Sequence, residues 1–258
     1  MDTPPGDTPP TPASGRPDGA PPFVPVLQAK PPGAPVRVLA ALTPRIRAVT
    51  DQIEPYTLWW NQANEAAAGG EGPLLVAVGD STAVGIGASA PGRGYVGLLV
   101  DLLREHRDPR WRVINLGQSG ARADDAVGRQ LPAAHRLGPD LVVCCIGTND
   151  LVWTMSTAGL QRRLRALVDG LPISSIVGLP AGASPRARAA RRAVVAAGAE
   201  RGLAVVDPWS EPAPAGGVRL AVDRFHPSDL GYQLMAVPFA RQLALPVDGL
   251  LRSRVRDR

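Results

Sequence analysis

Lysine is almost missing from this chain. Lys30 is the only one among 28 basic residues in 258, so the net charge of +5 rests on arginine. Aromatic residues are scarce too, at 4%. A core within the 45% apolar content must therefore come from Leu, Val, Ala and Ile. The arginines gather at Arg186, Arg188, Arg191 and Arg192, and again at Arg252, Arg254, Arg256 and Arg258. No aromatic is interleaved with either group, and single-stranded nucleic acid is held by aromatic stacking platforms. No nucleic-acid partner is expected. The two groups read as a solvated helix face and a basic tail, with weak contact to an anionic surface as the alternative. The only cysteines, Cys144 and Cys145, are adjacent. Neighbouring cysteines seldom meet disulfide geometry, so they read as small core residues without a disulfide framework. No run reaches the roughly 18 apolar residues of a membrane span. The start, "MDTPPGDTPPTPASG", lacks the basic and apolar regions of a secretory signal. A cytoplasmic protein without stable membrane insertion is expected; the oligomeric state is left open.

Proline fills what the sequence otherwise leaves empty at its start. Residues 1–36 are proline-rich and read as a disordered lead. Residues 37–68 read as helical, broken at Pro44 and Pro55, and "AGGEGP" (68–73) as a joint, so that 37–72 forms an N-terminal extension. From residue 73 to 248 a regular pattern sets in, followed by the basic tail at 249–258. "PLLVAVG" (73–79), "WRVINLG" (111–117), "DLVVCCIG" (140–147), "SSIVGLP" (174–180) and "LAVVDPW" (203–209) are short apolar runs. Such runs fit strands buried on both faces. Helical patterns lie between them: Val96, Leu99, Val100 and Leu103 share one face, as do Leu160, Leu164, Leu167 and Val168. Val127, Leu131 and Leu137 suggest another helix, interrupted by Pro132. Repeated strand–helix alternation predicts an α/β fold with an open parallel sheet covered on both faces.

Ligands of such sheets bind beyond the carboxyl ends of the strands. Ser81 follows the first strand, Gly120 the second, Asn149 the third, and Asp223 and His226 the fifth. His106 and His135 sit at polar helix ends and read as surface residues. His226 follows Asp223 by three residues in "DRFHPSDLGY". That spacing lets the carboxylate reach back to Nδ1 and hold the imidazole with Nε2 free as a base. A helix-start loop, where Asp, Pro and Ser cap, has the same composition. Ser81, a weak nucleophile alone, would need such a base. It stands among small residues in "GDSTAVGIG", with Asp80 able to cap the following turn. Backbone N–H groups at Gly120 and the Asn149 amide supply donors that a tetrahedral oxyanion requires.

In order, Gly79-Asp80-Ser81, Gly120, Asn149 in "GTND" and Asp223-x-x-His226 resemble the four blocks of the SGNH (GDSL) hydrolases. The resemblance spans about 73–245. It implies a flavodoxin-like three-layer α/β/α sandwich with a five-stranded parallel sheet. It implies a serine esterase or lipase acting on small ester or acyl substrates, thioesters and lysophospholipids among them. Ser81 would be the nucleophile, His226 the base and acid, and Asp223 its orienter. The N–H groups of Ser81 and Gly120 and the Asn149 amide would form the oxyanion hole. No metal or organic cofactor is required. Residue 121 is Ala where some members carry a polar residue, which bears on substrate. Gly117 is taken as a turn glycine.

A flavin-binding electron carrier on the same sheet is the rival, since "DSTAVGIG" resembles a phosphate cradle. It leaves Asn149, Asp223 and His226 without roles. Trp153, four residues after Asn149, is expected either to line a substrate pocket or to pack. Trp59 and Trp60 are expected to fasten the N-terminal helices to the domain.

Overall fold

The computed structural model describes residues 23–31, 33–152 and 156–252. Five strands form one sheet: β1 (Leu74–Gly79), β2 (Arg112–Asn115), β3 (Leu141–Cys145), β4 (Ser175–Gly178) and β5 (Ala204–Val206). Their order is β2-β1-β3-β4-β5, and every pairing is parallel. Each strand is shorter than its apolar run, and in β2 to β5 the run's last residues turn into the loops at the sheet's carboxyl edge. β1 lies between β2 and β3, with Val76 opposite Ile114 on one side and Val142 on the other. The chain thus reverses direction across the sheet at β1, which opens a crevice beside its carboxyl end.

Helices α1 (Ala34–Leu42), α2 (Pro44–Thr50) and α3 (Ile53–Ala68) precede the sheet. α4 (Ser81–Val84) and α5 (Tyr95–His106) follow β1, and α6 (Ala123–Asp125) and α7 (Leu131–Leu137) follow β2. α8 (Thr148–Leu151) and α9 (Thr157–Asp169) follow β3, and α10 (Pro185–Glu200) follows β4. α11 (Asp229–Gln242) and α12 (Asp248–Arg252) close the described chain. Pro44 and Pro55 do split the N-terminal stretch; they lie in the first turns of α2 and α3, where no N–H is needed. Side chains alternate across the sheet. Leu75 and Ala77 enter one apolar layer with α3, α5 and α11, while Leu74, Val76 and Val78 enter the other with α7, α9 and α10. This is the expected three-layer sandwich. Cys144 and Cys145 are buried and unpaired, and burial pushes the Cys144 thiol up to about 12.

The structure differs from the sequence reading in three places. The lead, expected to stay free over 1–36, packs on the domain from Phe23. Leu27 N–H donates to Asn61 Oδ1 at 2.7 Å and its carbonyl accepts from Asn61 Nδ2 at 3.0 Å. Val24 and Leu27 pack against the core, and the Arg136 guanidinium lies 4.2 Å from the Phe23 ring. The lead's apolar side chains are few, but Phe23, Val24 and Leu27 stand close enough together to be partly buried at once. Residues 1–22 and 253–258 lie outside the described residues. The α10 arginines are not simply a solvated face. Arg191 pairs with Asp207 and donates to the Pro180 carbonyl at 3.0 Å, and Arg186 reaches the Asp150 carbonyl at 3.3 Å. Finally, only one of the paired tryptophans is a fastener. Trp60 is 1% exposed, whereas Trp59 is 41% exposed and meets it edge to face at 4.8 Å.

Candidate active site

β1 ends at Gly79 because nothing larger fits. A Cβ there would lie 2.6 Å from Ala83 Cβ and 3.0 Å from the Cys145 carbonyl oxygen. Its absence lets α4 fold directly onto the strand end. The acid that follows is a helix cap: Asp80 Oδ1 accepts from Thr82 N–H and from Thr82 Oγ1, both at 2.9 Å. Burial raises the Asp80 carboxyl above its ordinary range, against the hydrogen bonds from Thr82. The hydroxyl after it, on Ser81, opens α4 and is nearly buried.

Ser81 Oγ lies 3.1 Å from His226 Nε2, across 145 residues of chain. His226 Nδ1 lies 2.7 Å from Asp223 Oδ2. The other carboxylate oxygen, Oδ1, accepts the backbone N–H groups of Phe225 and His226 at 3.0 and 3.1 Å. Burial raises the Asp223 carboxyl, but these hydrogen bonds and the imidazole outweigh it and hold the group below its ordinary value. Arg224 adopts a left-handed φ of 59° within this tight turn. Gly87 brings the loop after Ser81 against His226: at φ 99°, a Cβ there would lie 2.7 Å from His226 Cβ. Ser89 N–H and Oγ then bond the carboxylate of Asp229 at 2.7 and 2.6 Å, linking that loop to the start of α11.

The donors stand on the neighbouring strand ends. Among the described residues, neither Ser81 N–H nor Gly120 N–H meets an acceptor. Gly120 has a φ of 72°, which glycine adopts freely. Asn149 Nδ2 donates to the Ala121 carbonyl at 3.0 Å and, weakly, to Asp80 Oδ2 at 3.4 Å. The amide is therefore held in place rather than idle. Gly117 N–H is spent on Asn115 Oδ1 at 2.8 Å, which leaves it a turn residue as expected.

The N-terminal helices brace this loop system. Trp60 Nε1 donates to the Val84 carbonyl at 2.9 Å, and Tyr56 Oη to the Ala88 carbonyl at 2.7 Å. Gln52, just before α3, accepts from Gly87 N–H at 2.7 Å. Asn64 exchanges two hydrogen bonds with the Asn115 backbone, and Asn115 Nδ2 donates to the Ala83 carbonyl at 2.7 Å. The N-terminal segment thus holds α4 and the loop that follows it.

All five expected residues, Ser81, Gly120, Asn149, Asp223 and His226, stand at the carboxyl edge. Trp153 lies outside the described residues. His106 and His135 are exposed, as expected. The sequence reading missed Phe225, half exposed with its ring edge-on to His226 at 5.0 Å, and the buried Gln130. A lone polar residue in a helical pattern carries no signal of burial. Among the described residues, no helix is long and apolar enough to cross a membrane.

The sequence profile of the GDSL-like Lipase/Acylhydrolase family matches residues 77–234, more than half of the chain. No curated protein matches the chain. Solved structures do. TesA is 26% identical over 66% of this chain and 97% of its own, with a TM-score of 0.56. An α/β hydrolase enzyme, LAE5, from the metagenome of Lake Arreo, Spain, is 25% identical over 71% of this chain and 98% of its own, at 0.53. A catalytic mutant of Axe2, an acetylxylan esterase from Geobacillus stearothermophilus, is 26% identical over 73% and 99%, at 0.54. These likenesses do not favour the flavin-carrier alternative. The chain belongs to the GDSL-like lipase/acylhydrolase family and is an enzyme that hydrolyses ester bonds.

Proposed function

We propose that this enzyme cleaves carboxylic esters through an acyl-serine formed on Ser81. The observation that carries the reading is the unbroken chain Ser81 Oγ–His226–Asp223, at 3.1 and 2.7 Å. As Ser81 Oγ bonds to the acyl carbon, its proton passes to His226 Nε2. Asp223 holds the ring in the tautomer that leaves Nε2 able to accept, and stabilises the imidazolium. The oxyanion is taken by the N–H groups of Ser81 and Gly120. The Asn149 amide joins them by giving up its long contact to Asp80. Collapse breaks the bond to the alcohol oxygen, which leaves with the proton from Nε2. Water then attacks the acyl-serine with Nε2 again as base, and the acid departs while Oγ regains its proton.

Catalytic mutants of Axe2 alter a serine, an aspartate and a histidine, the last two three positions apart, the spacing of Asp223 and His226. Thioesters and lysophospholipids present the same acyl carbonyl and enter the same cycle. Phe225 and Val222, 56% and 57% exposed beside the triad, offer apolar surface to an acyl chain. Ser81→Ala and His226→Ala should each remove nearly all hydrolysis of a p-nitrophenyl ester while thermal unfolding stays close to wild type. Wild-type turnover in either variant would refute the reading.

A further inference from the structure

Pro132 has no N–H to offer, and a proline ring crowds the carbonyl four residues before it. The chain accommodates this one turn earlier. Leu131 N–H reaches back five residues to the Ala126 carbonyl, so Ala126–Gln130 forms a single wide π-turn. A π-turn takes in an extra residue and re-aims the side chains around it, and such turns recur at functional sites. Here it turns Gln130 inward, to 6% exposure.

The Gln130 carboxamide faces the backbone of one residue. Its Oε1 accepts from Gly79 N–H at 2.8 Å and its Nε2 donates to the Gly79 carbonyl at 2.9 Å. The reason lies in the sheet. β2 ends at Asn115, opposite Ala77, so no residue of β2 stands beside Gly79. The Gln130 side chain fills the place of the missing strand partner. The same carbonyl also accepts Gln118 N–H at 3.2 Å, and Arg129 donates to Gln118 Oε1 at 2.9 Å. Two successive residues of the π-turn therefore hold Gly79 and Gln118, each two residues before a proposed oxyanion donor, Ser81 and Gly120.

We infer that Gln130 is a positioning residue: its clamp on Gly79 sets where the Ser81 and Gly120 N–H groups point. The inference rests on the proposed oxyanion role of those groups. A buried polar side chain that merely satisfies its own hydrogen bonds would affect stability alone.

Gln130→Met keeps the length of the side chain and removes both hydrogen bonds. With a short p-nitrophenyl ester, kcat should fall about tenfold to a hundredfold, less than the 10²–10³ for deleting a donor outright. KM should stay within about threefold, because the ground-state carbonyl makes less use of these donors. Affinity for an alkyl trifluoromethyl ketone, whose serine adduct carries an oxyanion, should fall by the same factor as kcat/KM. Leu171→Ala, buried in the same apolar layer just before β4 and so at the opposite edge of the sheet, should lower thermal stability and leave the kinetic constants and ketone affinity unchanged. Should the Met variant fail to fold, Gln130→Glu keeps the acceptor for Gly79 N–H, loses the donor, and is read in the same way. A folded variant with wild-type kcat and ketone affinity, beside an inactive Ser81→Ala, would overturn this inference alone. An active Ser81→Ala would overturn the site reading on which it rests.

Discussion

Replacing Asp223 with asparagine keeps the size of the side chain and changes its hydrogen-bonding pattern. Asp223 Oδ1 accepts two backbone N–H groups, from Phe225 and His226, while Oδ2 faces His226 Nδ1 at 2.7 Å. An asparagine has one accepting oxygen and one donating NH₂. With the oxygen kept on the two N–H groups, the NH₂ faces Nδ1. The ring must then carry its proton on Nε2, pointing at Ser81, with no lone pair left to receive one. Turning the amide over restores Nδ1 but sets NH₂ against two donors, each costing on the order of 1 kcal/mol or more. The first arrangement is therefore favoured, and it holds the wrong tautomer. The same change in a serine-protease triad lowers kcat by about 10⁴, or roughly 5.4 kcal/mol at 1.36 per tenfold. Asp223→Asn should lose kcat on that scale, with KM on a short ester changed only a few-fold. The stability effect has a pH signature. The Asp223 carboxyl lies below its ordinary 3.8 despite burial, because the imidazole and two N–H groups bond to it. A depressed folded value contributes stability above the unfolded value and loses it as pH falls through the folded one. The gap in Tm between wild type and variant should be largest near neutrality and shrink below about pH 4. A kcat within tenfold of wild type, or a Tm gap indifferent to pH, would refute the reasoning.

Three further outcomes follow from the packing. Trp60→Ala should cost about 3–5 kcal/mol in urea unfolding without altering preference among acyl chain lengths; a loss under about 1 kcal/mol would mean α3 is not anchored there. Asn61→Ala removes both hydrogen bonds to Leu27 and should cost about 1–3 kcal/mol at 0.5–1.5 each, whereas an unchanged midpoint would show that the 23–30 segment adds nothing to stability. Gly87→Ala forces a side chain at φ 99° to within 2.6 Å of the Pro227 carbonyl. It should cost more than about 1 kcal/mol and lower kcat by displacing His226, and an unchanged kcat would show that this contact does not position the ring.

The sheet was legible because strands buried on both faces must be apolar throughout, and "LLVAVG" or "LVVCC" has no polar face to confuse the reading. The candidate site was legible because parallel strands deliver their loops to one edge, so the loops carrying Ser81, Gly120 and Asn149 were bound to share it once the strands were placed. What escaped depended on contacts between distant segments. Trp59 and Trp60 look alike in sequence, yet adjacent helical residues point about 100° apart, and only one can face the core. Pro132 was visible as an interruption, but its consequence, a π-turn that aims Gln130 at Gly79, depends on where β2 happens to end. The brace from Gln52, Tyr56, Trp60 and Asn64 joins side chains to backbone groups across 24 to 51 residues, and no local pattern records such pairings.

The central claim is a covalent bond between the acyl group and one oxygen atom. Rapid acid quenching during turnover of a p-nitrophenyl ester, followed by peptide mapping by mass spectrometry, tests it directly. The acyl mass should appear on the peptide containing Ser81, build up in a burst matched by p-nitrophenol release, and vanish in Ser81→Ala. An acyl group on any other residue, or steady turnover with no adduct and an active Ser81→Ala, would contradict the account.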